Sequence, residues 1–262
     1  MSLTEACAEL ALASRICANE GVLDTFGHIS MRHPDNPQRY FLSRSSSPDM
    51  VTAEGLIEYD LNSKPVRNEG LPQYSERVIH GEIYTARPDV MSVCHHHSPS
   101  FIPLLATGSD YVPINHLGAV GGIRPPWWDL HDEFGDTNML VVTPEQGASL
   151  ARALGGHRMV LMRRHGVTVV GDDVRDCAYR AVQTCRNAES LVRALSIGPV
   201  SVLSPGETRL ADDITGSTTG VTRSWNSWVL GVARLEAVLP ANAASAPRRA
   251  TKSAPRPKRR RR

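Results

Sequence analysis

Three of the ten histidines in this 262-residue chain are consecutive, in "VCHHHSP" at residues 93–99. The run follows apolar residues and reads as the end of a buried strand. Side chains of a strand alternate between its two faces. His95 and His97 should therefore share one face, and His96 should point to the other. Imidazoles two residues apart in a strand lie roughly 6–7 Å apart at Cα, close enough to serve one metal. His165 closes a second apolar run, "MVLMRRHG", and a histidine followed by glycine at a strand end sits where open α/β sheets place their sites. Glu76 lies early in the helix-forming stretch "SERVIHGEIYTARPDV", with His80 four residues on and on the same helix face. Three neutral histidines and a carboxylate form a catalytic metal set, because positions stay open for water or substrate. The residue types suit Zn²⁺, Mn²⁺ or Fe²⁺ equally.

These residues need elements to carry them. Residues 4–20 show apolar positions at helical spacing, with Gly21 placed to end the helix. "HISMRH" and "RYFLSRS" alternate as strands around the turn "PDNP", which predicts a hairpin. "LIEYDLNSKPV" gives a further strand and turn. Ser75 is placed to cap a helix of about ten residues that ends near "ARPD". "VMSVCHHH" is a strand, and "SPSFIPLLATG" opens a helix. "GDTNMLV" reads as a turn into a strand, and "TPEQGASLARALGG" as a capped helix closed by glycines. "RMVLMRRHGVTVVG" reads as two strands joined at His165–Gly166, and "DVRDCAYRAVQTCRNAESLVRALSIG" as a long amphipathic helix. Alternation of strands and helices, with hairpins near the start, predicts a three-layer α/β/α fold around a central mixed sheet. One domain, residues 1–240, accommodates all of it.

Composition excludes several classes. Charged residues make up 21% and hydrophobic residues 41% of the chain, as in an ordinary packed domain. No window reaches the roughly 18 apolar residues of a membrane span. The acidic, amphipathic start reads as a helix rather than a signal peptide. Five scattered cysteines form no disulfide framework, which points to the cytoplasm. The last sixteen residues, "PRRATKSAPRPKRRRR", hold nine Lys or Arg and no acid, so the formal charge of +2 for the whole becomes −7 for the rest. Residues 241–262 read as a disordered, solvated basic tail, with at most weak contact to nucleic acid. An acidic body is not the composition of a nucleic-acid-binding fold.

The blocks "GHISMR", "SERVIHGEIYTARPDV", "CHHHSP" and "MRRHGVTVVG", in this order and spacing, resemble the class II aldolase/adducin family over roughly residues 4–205. The resemblance implies a three-layer subunit of a homotetramer with its sites at subunit contacts. It also implies a divalent metal held by His95, His97 and His165. Glu76 matches the family's acidic residue, which binds the metal at rest and acts as acid or base in turnover. Adducin-like members without catalysis lose these ligands, whereas this chain keeps them.

Departures from the sugar-phosphate pattern narrow the expected substrate. His28 stands where an Asn of a phosphate cradle would be, Ser43–Arg44 near a Thr-Gly pair, and Tyr74–Ser75 before Glu76. An arginine pairs a carboxylate in bidentate fashion. "GHIS", "RYFLSRS" and Val51–Thr52 resemble the family's decarboxylase branch, which acts on substrates such as 3-hydroxy-2-methylpyridine-4,5-dicarboxylate and 3,4-dihydroxyphthalate. The expectation is a metal-dependent decarboxylase of a hydroxylated aromatic or heteroaromatic carboxylate. Glu76 would protonate the ring carbon, with His80 as second candidate. His28, Ser43, Arg44, Ser45 and Ser75 would bind the substrate. Two alternatives stand beside it: an aldolase acting on an unphosphorylated hydroxy-acid or sugar derivative, and a non-catalytic binding protein. Where Arg164 stands the family usually has Asn or Gly. Trp127 and Trp128 are expected to pack in a loop rather than wall the site.

Overall fold

A computed structural model describes residues 1–67 and 70–238; the basic tail expected at 241–262 lies outside the described residues. Helix α1 (Leu3–Asn19) starts at a reciprocal cap in which Ser2 and Glu5 satisfy each other's backbone amides. Strands β1 (His28–Arg32) and β2 (Arg39–Ser43) form the expected antiparallel hairpin, and β3 (Leu56–Asp60) extends it. Helix α2 (Val78–Ala86) leads to β4 (Ser92–His96), and α3 (Ile102–Thr107) follows. Next come β5 (Trp127–Trp128), α4 (Leu130–Phe134) and α5 (Pro144–Leu154), the last capped reciprocally by Thr143 and Gln146. Strands β6 (Met159–Met162) and β7 (Gly166–Gly171) precede the long α6 (Val174–Leu195). Two further helices, α7 (Pro205–Thr215) and α8 (Thr218–Val238), complete the described residues.

The seven strands form one sheet in the order β3-β2-β1-β4-β7-β6-β5. Every neighbouring pair is antiparallel except β5–β6, so the sheet is mixed. Two separate apolar cores flank it. One joins α1, α3, α6 and α8 to Ile29, Met31, Cys94, Val167 and Val169. The other joins α2, α4 and α5 to Leu42, Val93, Val160 and Val170. This is the expected three-layer arrangement, and it fixes the parity of every strand residue. Val93 faces the α2/α5 layer and Cys94 the α1/α6 layer, so His95 takes the first face and His96 the second.

Three local expectations are corrected. Ser75 does not cap a helix: Ser75–Arg77 is a 3₁₀ turn, and α2 begins at Val78 with no side-chain cap. The turn is tightened by Arg77, whose guanidinium donates to the carbonyls of Ser63 and Tyr74. No strand forms in "GDTNMLV"; its backbone instead serves a side chain, because the Val141 amide donates to Glu76. Trp127 and Trp128 lie in the short parallel strand β5 rather than a loop. They still pack structurally, Trp127 donating to Asp110 and the buried Trp128 to Ser149.

Candidate metal centre

The register aligns His28 of β1, His95 of β4 and Thr168 of β7 in one row across three strands. All three are buried. His97 follows β4 by one residue, and His165 occupies the three-residue connection between β6 and β7. That connection is sharp. Arg164 takes a left-handed φ of 58°, a conformation that Asn and Gly adopt more readily. Its guanidinium is tied to Asp129 at 2.9 Å. Gly166 then passes so close to β4 that a Cβ would sit 2.4 Å from the His96 carbonyl oxygen. A side chain there would push His165 away from His95 and His97.

One donor atom from each of Glu76, His95, His97 and His165 can be chosen so that all lie within 4.8 Å of one another. The Nε2 atoms of His95 and His97 are 3.1 Å apart. Glu76 lies 3.7 Å from His95 Nε2 through Oε2 and 3.5 Å from His165 Nε2 through Oε1. Ligands about 2.0–2.1 Å from one tetrahedral ion lie about 3.3 Å from each other, so these separations match a shared cation.

The hydrogen bonds show which nitrogens are free. Thr168 donates its hydroxyl to Met162 sulfur, so it accepts from His95 Nδ1–H at 3.1 Å. Asp24 accepts from His97 Nδ1–H at 3.4 Å. Both rings then direct an Nε2 lone pair inward, the arrangement that outer partners impose on metal-binding histidines. Two lone pairs facing at 3.1 Å repel unless a cation lies between them. Among the described residues His165 has no hydrogen-bond partner at either ring nitrogen, although both atoms are buried. An orphaned buried imidazole is costly alone and accounted for as a ligand. The residues present therefore fit a divalent metal.

Electrostatics agree. Burial holds His95 well below the usual imidazole range, with His97 and His165 adding to the effect, and brings His165 down to about 4. Both rings are neutral near pH 7, as ligands must be. Burial pushes Glu76 up to about 7, partly offset by the Val141 amide. Burial also acts to raise Asp24, but the amides of Phe26 and Gly27, with His97, bring it below the ordinary value.

The other residues singled out in the sequence fall into two groups. His28 lies beside His95 and Tyr74, with ring centroids 5.4 and 4.5 Å away. Continuing the β1–β2 register by two residues puts Arg44 opposite His28. Arg44 is exposed and has no ion-pair partner among the described residues. Ser45 and Ser75 are also exposed, and Ser43 is buried next to the Tyr74 hydroxyl. His80, the second candidate for the proton donor, stands back from the ligand group. It is wholly buried, and both its ring nitrogens are engaged, Nδ1 by Ser30 at 2.6 Å and Nε2 by His28 at 2.7 Å. It lies behind His28 rather than within the ligand group. His96 packs on the opposite layer, near Phe101 and Cys185.

Sequence reasoning missed Asp24, Thr168, Ser30 and Tyr84. Asp24 had a local signal: "DTFG" is an Asx turn, and its carboxylate accepts from Phe26 and Gly27. Thr168 acts through pairing across the sheet, and Ser30 and Tyr84 through the packing of α2 on β1.

The sequence matches the Class II Aldolase and Adducin N-terminal domain over residues 8–192. It is 32% identical to Decarboxylase tropJ of Talaromyces stipitatus over 232 residues, which cover 79% of this chain and 86% of that protein. It is 26% identical to the 3,4-dihydroxyphthalate decarboxylase of Arthrobacter keyseri, covering 72% and 78% of the two chains. In three dimensions it superposes on an aldolase II superfamily protein from Pseudomonas syringae with a TM-score of 0.75, at 22% identity, over 90% of this chain and 95% of that one. The family model covers well over half of the sequence, and this chain belongs to the class II aldolase and adducin family.

Proposed function

We propose that the protein is a metal-dependent decarboxylase of a hydroxylated aromatic or heteroaromatic dicarboxylate, working as a homotetramer in the cytoplasm. Zn²⁺ or Mn²⁺ would be held by His95, His97 and His165, with Glu76 as a fourth ligand at rest. A bound divalent ion supplies Lewis acidity toward the ring oxygen and so favours loss of the neighbouring carboxylate as CO₂. The observation that carries the reading is Glu76: a carboxyl buried inside the ligand group, which burial raises to about 7 where no cation is beside it. Once displaced from the ligand position by substrate, such a group can hold a proton at neutral pH and deliver it to the ring carbon as the C–CO₂ bond breaks, then regain one from water. The two similar decarboxylases favour this chemistry over aldol cleavage.

Arg44 offers a guanidinium with no ion-pair partner among the described residues for the second carboxylate, with Ser43, Ser45 and Ser75 as neighbouring hydroxyls and His28 at the inner wall. The tetramer is favoured by exposed apolar side chains such as Ile197, Leu210 and Ile214, and the cytoplasm by five free cysteines. The test is CO₂ release from a panel of hydroxy-dicarboxylates, run beside pyruvate or glycolaldehyde release from aldols. Release of CO₂ supports the reading, with a KM for the acid that rises in Arg44→Ala. Aldol products replace it with an unphosphorylated-substrate aldolase. A metal-free, inactive protein favours an adducin-like binding role.

A further inference from the structure

The segment that leaves β2, Ser43 to Ser46, is wrapped around one phenol. The Tyr74 hydroxyl donates to the Ser46 carbonyl at 2.5 Å and accepts from the Ser46 amide at 3.4 Å. A carbonyl can only accept and an amide can only donate, so both directions are fixed. The buried Ser43 hydroxyl is a further partner of the same oxygen. The amides between are spent as well, that of Arg44 on the Gly55 carbonyl at 2.7 Å and that of Ser45 on the Pro72 carbonyl at 2.8 Å. The Ser46 hydroxyl turns back to the Arg44 carbonyl at 3.2 Å.

This loop is tied to the metal centre. The Tyr74 ring is buried 4.5 Å from that of His28, which lies 5.4 Å from that of His95. Glu76 is two residues on, and the Tyr74 carbonyl accepts from Arg77 in the turn that carries Glu76. A tetrahedral anion such as a phosphate group is held best where several backbone N–H groups converge. Here the amides of residues 44, 45 and 46 each go to a protein oxygen, so the exposed side chains of Arg44 and Ser45 are what these three residues offer. The Arg44 side chain runs beside Gly55, its Nε 3.6 Å from where a Cβ would stand there. A guanidinium fork matches both oxygens of a planar carboxylate. A three-oxygen head on the same fork keeps one oxygen without a backbone donor from the loop.

We propose that Tyr74 sets which anion this loop accepts: by occupying the Ser46 amide and carbonyl and the Ser43 hydroxyl, it closes the loop to a phosphate-shaped group and leaves the Arg44 fork for the planar carboxylate that the substrate keeps. Tyr74 is a positioning residue; no bond of the substrate forms or breaks at it. The identity of the acid rests on the decarboxylase reading, and the choice of anion rests on the contacts of Tyr74. Removing the phenol oxygen returns one amide and one hydroxyl to the loop and releases Ser46. Both halves of the selection should then change together, with weaker binding of a carboxylate and better binding of a tetrahedral group.

The experiment is calorimetric titration of the zinc-loaded, full-length protein with salicylate, 4-hydroxyisophthalate and 5-sulfosalicylate. The three acids present the same hydroxyl–carboxylate edge to a metal. They differ at the far carbon, which bears hydrogen, a planar carboxylate or a tetrahedral sulfonate of equal charge. The wild type should bind 4-hydroxyisophthalate about tenfold more tightly than salicylate, and about fivefold more tightly than 5-sulfosalicylate. Tyr74→Phe should keep its zinc and lose most of the preference for carboxylate over sulfonate. Arg44→Ala should bind all three acids alike. Equal affinity for the planar and tetrahedral acids in the wild type, or the wild-type preference intact in Tyr74→Phe, overturns the assignment. So does a preference that survives Arg44→Ala, because the second carboxylate then sits elsewhere. Should Tyr74→Phe fold poorly, the wild type and Arg44→Ala still judge it. If no hydroxy-dicarboxylate releases CO₂, the decarboxylase reading falls while the titrations still judge the loop.

Discussion

His95 and His97 point their Nε2 atoms at each other across 3.1 Å, while the Nδ1 of each is bonded behind to an oxygen, of Thr168 and of Asp24. The pairing turns two neighbouring imidazoles into two converging lone pairs. His96, between them in sequence, belongs to the other face of the sheet. Metal content of purified variants should follow that division. His95→Ala and His97→Ala should each lose most of the metal, and His96→Ala should keep it. Asp24→Ala should weaken metal affinity about 10–100-fold, the usual cost of losing an outer partner. Equal retention in all variants, measured by plasma mass spectrometry, would contradict the ligand assignment.

Gly166 tests the path of the chain rather than the ligands. A Cβ there meets the backbone oxygen of His96 at 2.4 Å, and backbone cannot rotate away. Gly166→Ala should destabilise the protein by about 1–3 kcal/mol, as overpacking does, and reduce metal binding by displacing His165. Urea denaturation of the variant checks the first effect and metal titration the second.

The metal-free protein should show two opposed pH dependences. Glu76 has a folded value of about 7 against 4.5 for the unshifted carboxyl. Its contribution is therefore complete below 4.5 and is lost as pH rises through 7, a loss of about 3 kcal/mol. The stability advantage of Glu76→Gln over wild type should grow by that amount over the same window. His80 and His96 fall from 6.5 to about 3, both through burial, and His165 to about 4 through burial and His97. Their contribution is present above pH 6.5 and is lost as pH falls toward those values, so wild type should weaken steadily on acidification. Chemical denaturation from pH 5 to pH 8.5 resolves both trends, and a flat Glu76→Gln difference would contradict the burial of an uncompensated carboxyl.

Much of this site was legible because strands have a period of two. Parity alone separated His95 and His97 from His96, and the apolar run ending in His165–Gly166 located the third histidine. What remained hidden depends on pairing between distant segments. Thr168 faces His95 only through the β4–β7 register, and nothing near residue 168 announces it. His80 shares a helix with the residues after Glu76, but its ring turns to the β1 strand, where Ser30 and His28 take up both nitrogens. The expected cap at Ser75 failed because Arg77 draws the chain into a 3₁₀ turn through the carbonyls of Tyr74, three residues back, and Ser63, fourteen residues back. "GDTNMLV" has the look of a strand, yet its Val141 amide is spent on Glu76. Helices α7 and α8 were passed over in the sequence, although Ser204 and Glu207 form a reciprocal cap for the first of them.

The most direct measurement is single-turnover CO₂ release from 3,4-dihydroxyphthalate and related hydroxy-dicarboxylates, comparing metal-loaded wild type with Glu76→Gln. The account predicts CO₂ from at least one such acid and a loss of about 100-fold or more in the variant, the scale of general acid catalysis. Full CO₂ release by Glu76→Gln, or aldol cleavage without any decarboxylation by the wild type, would contradict it.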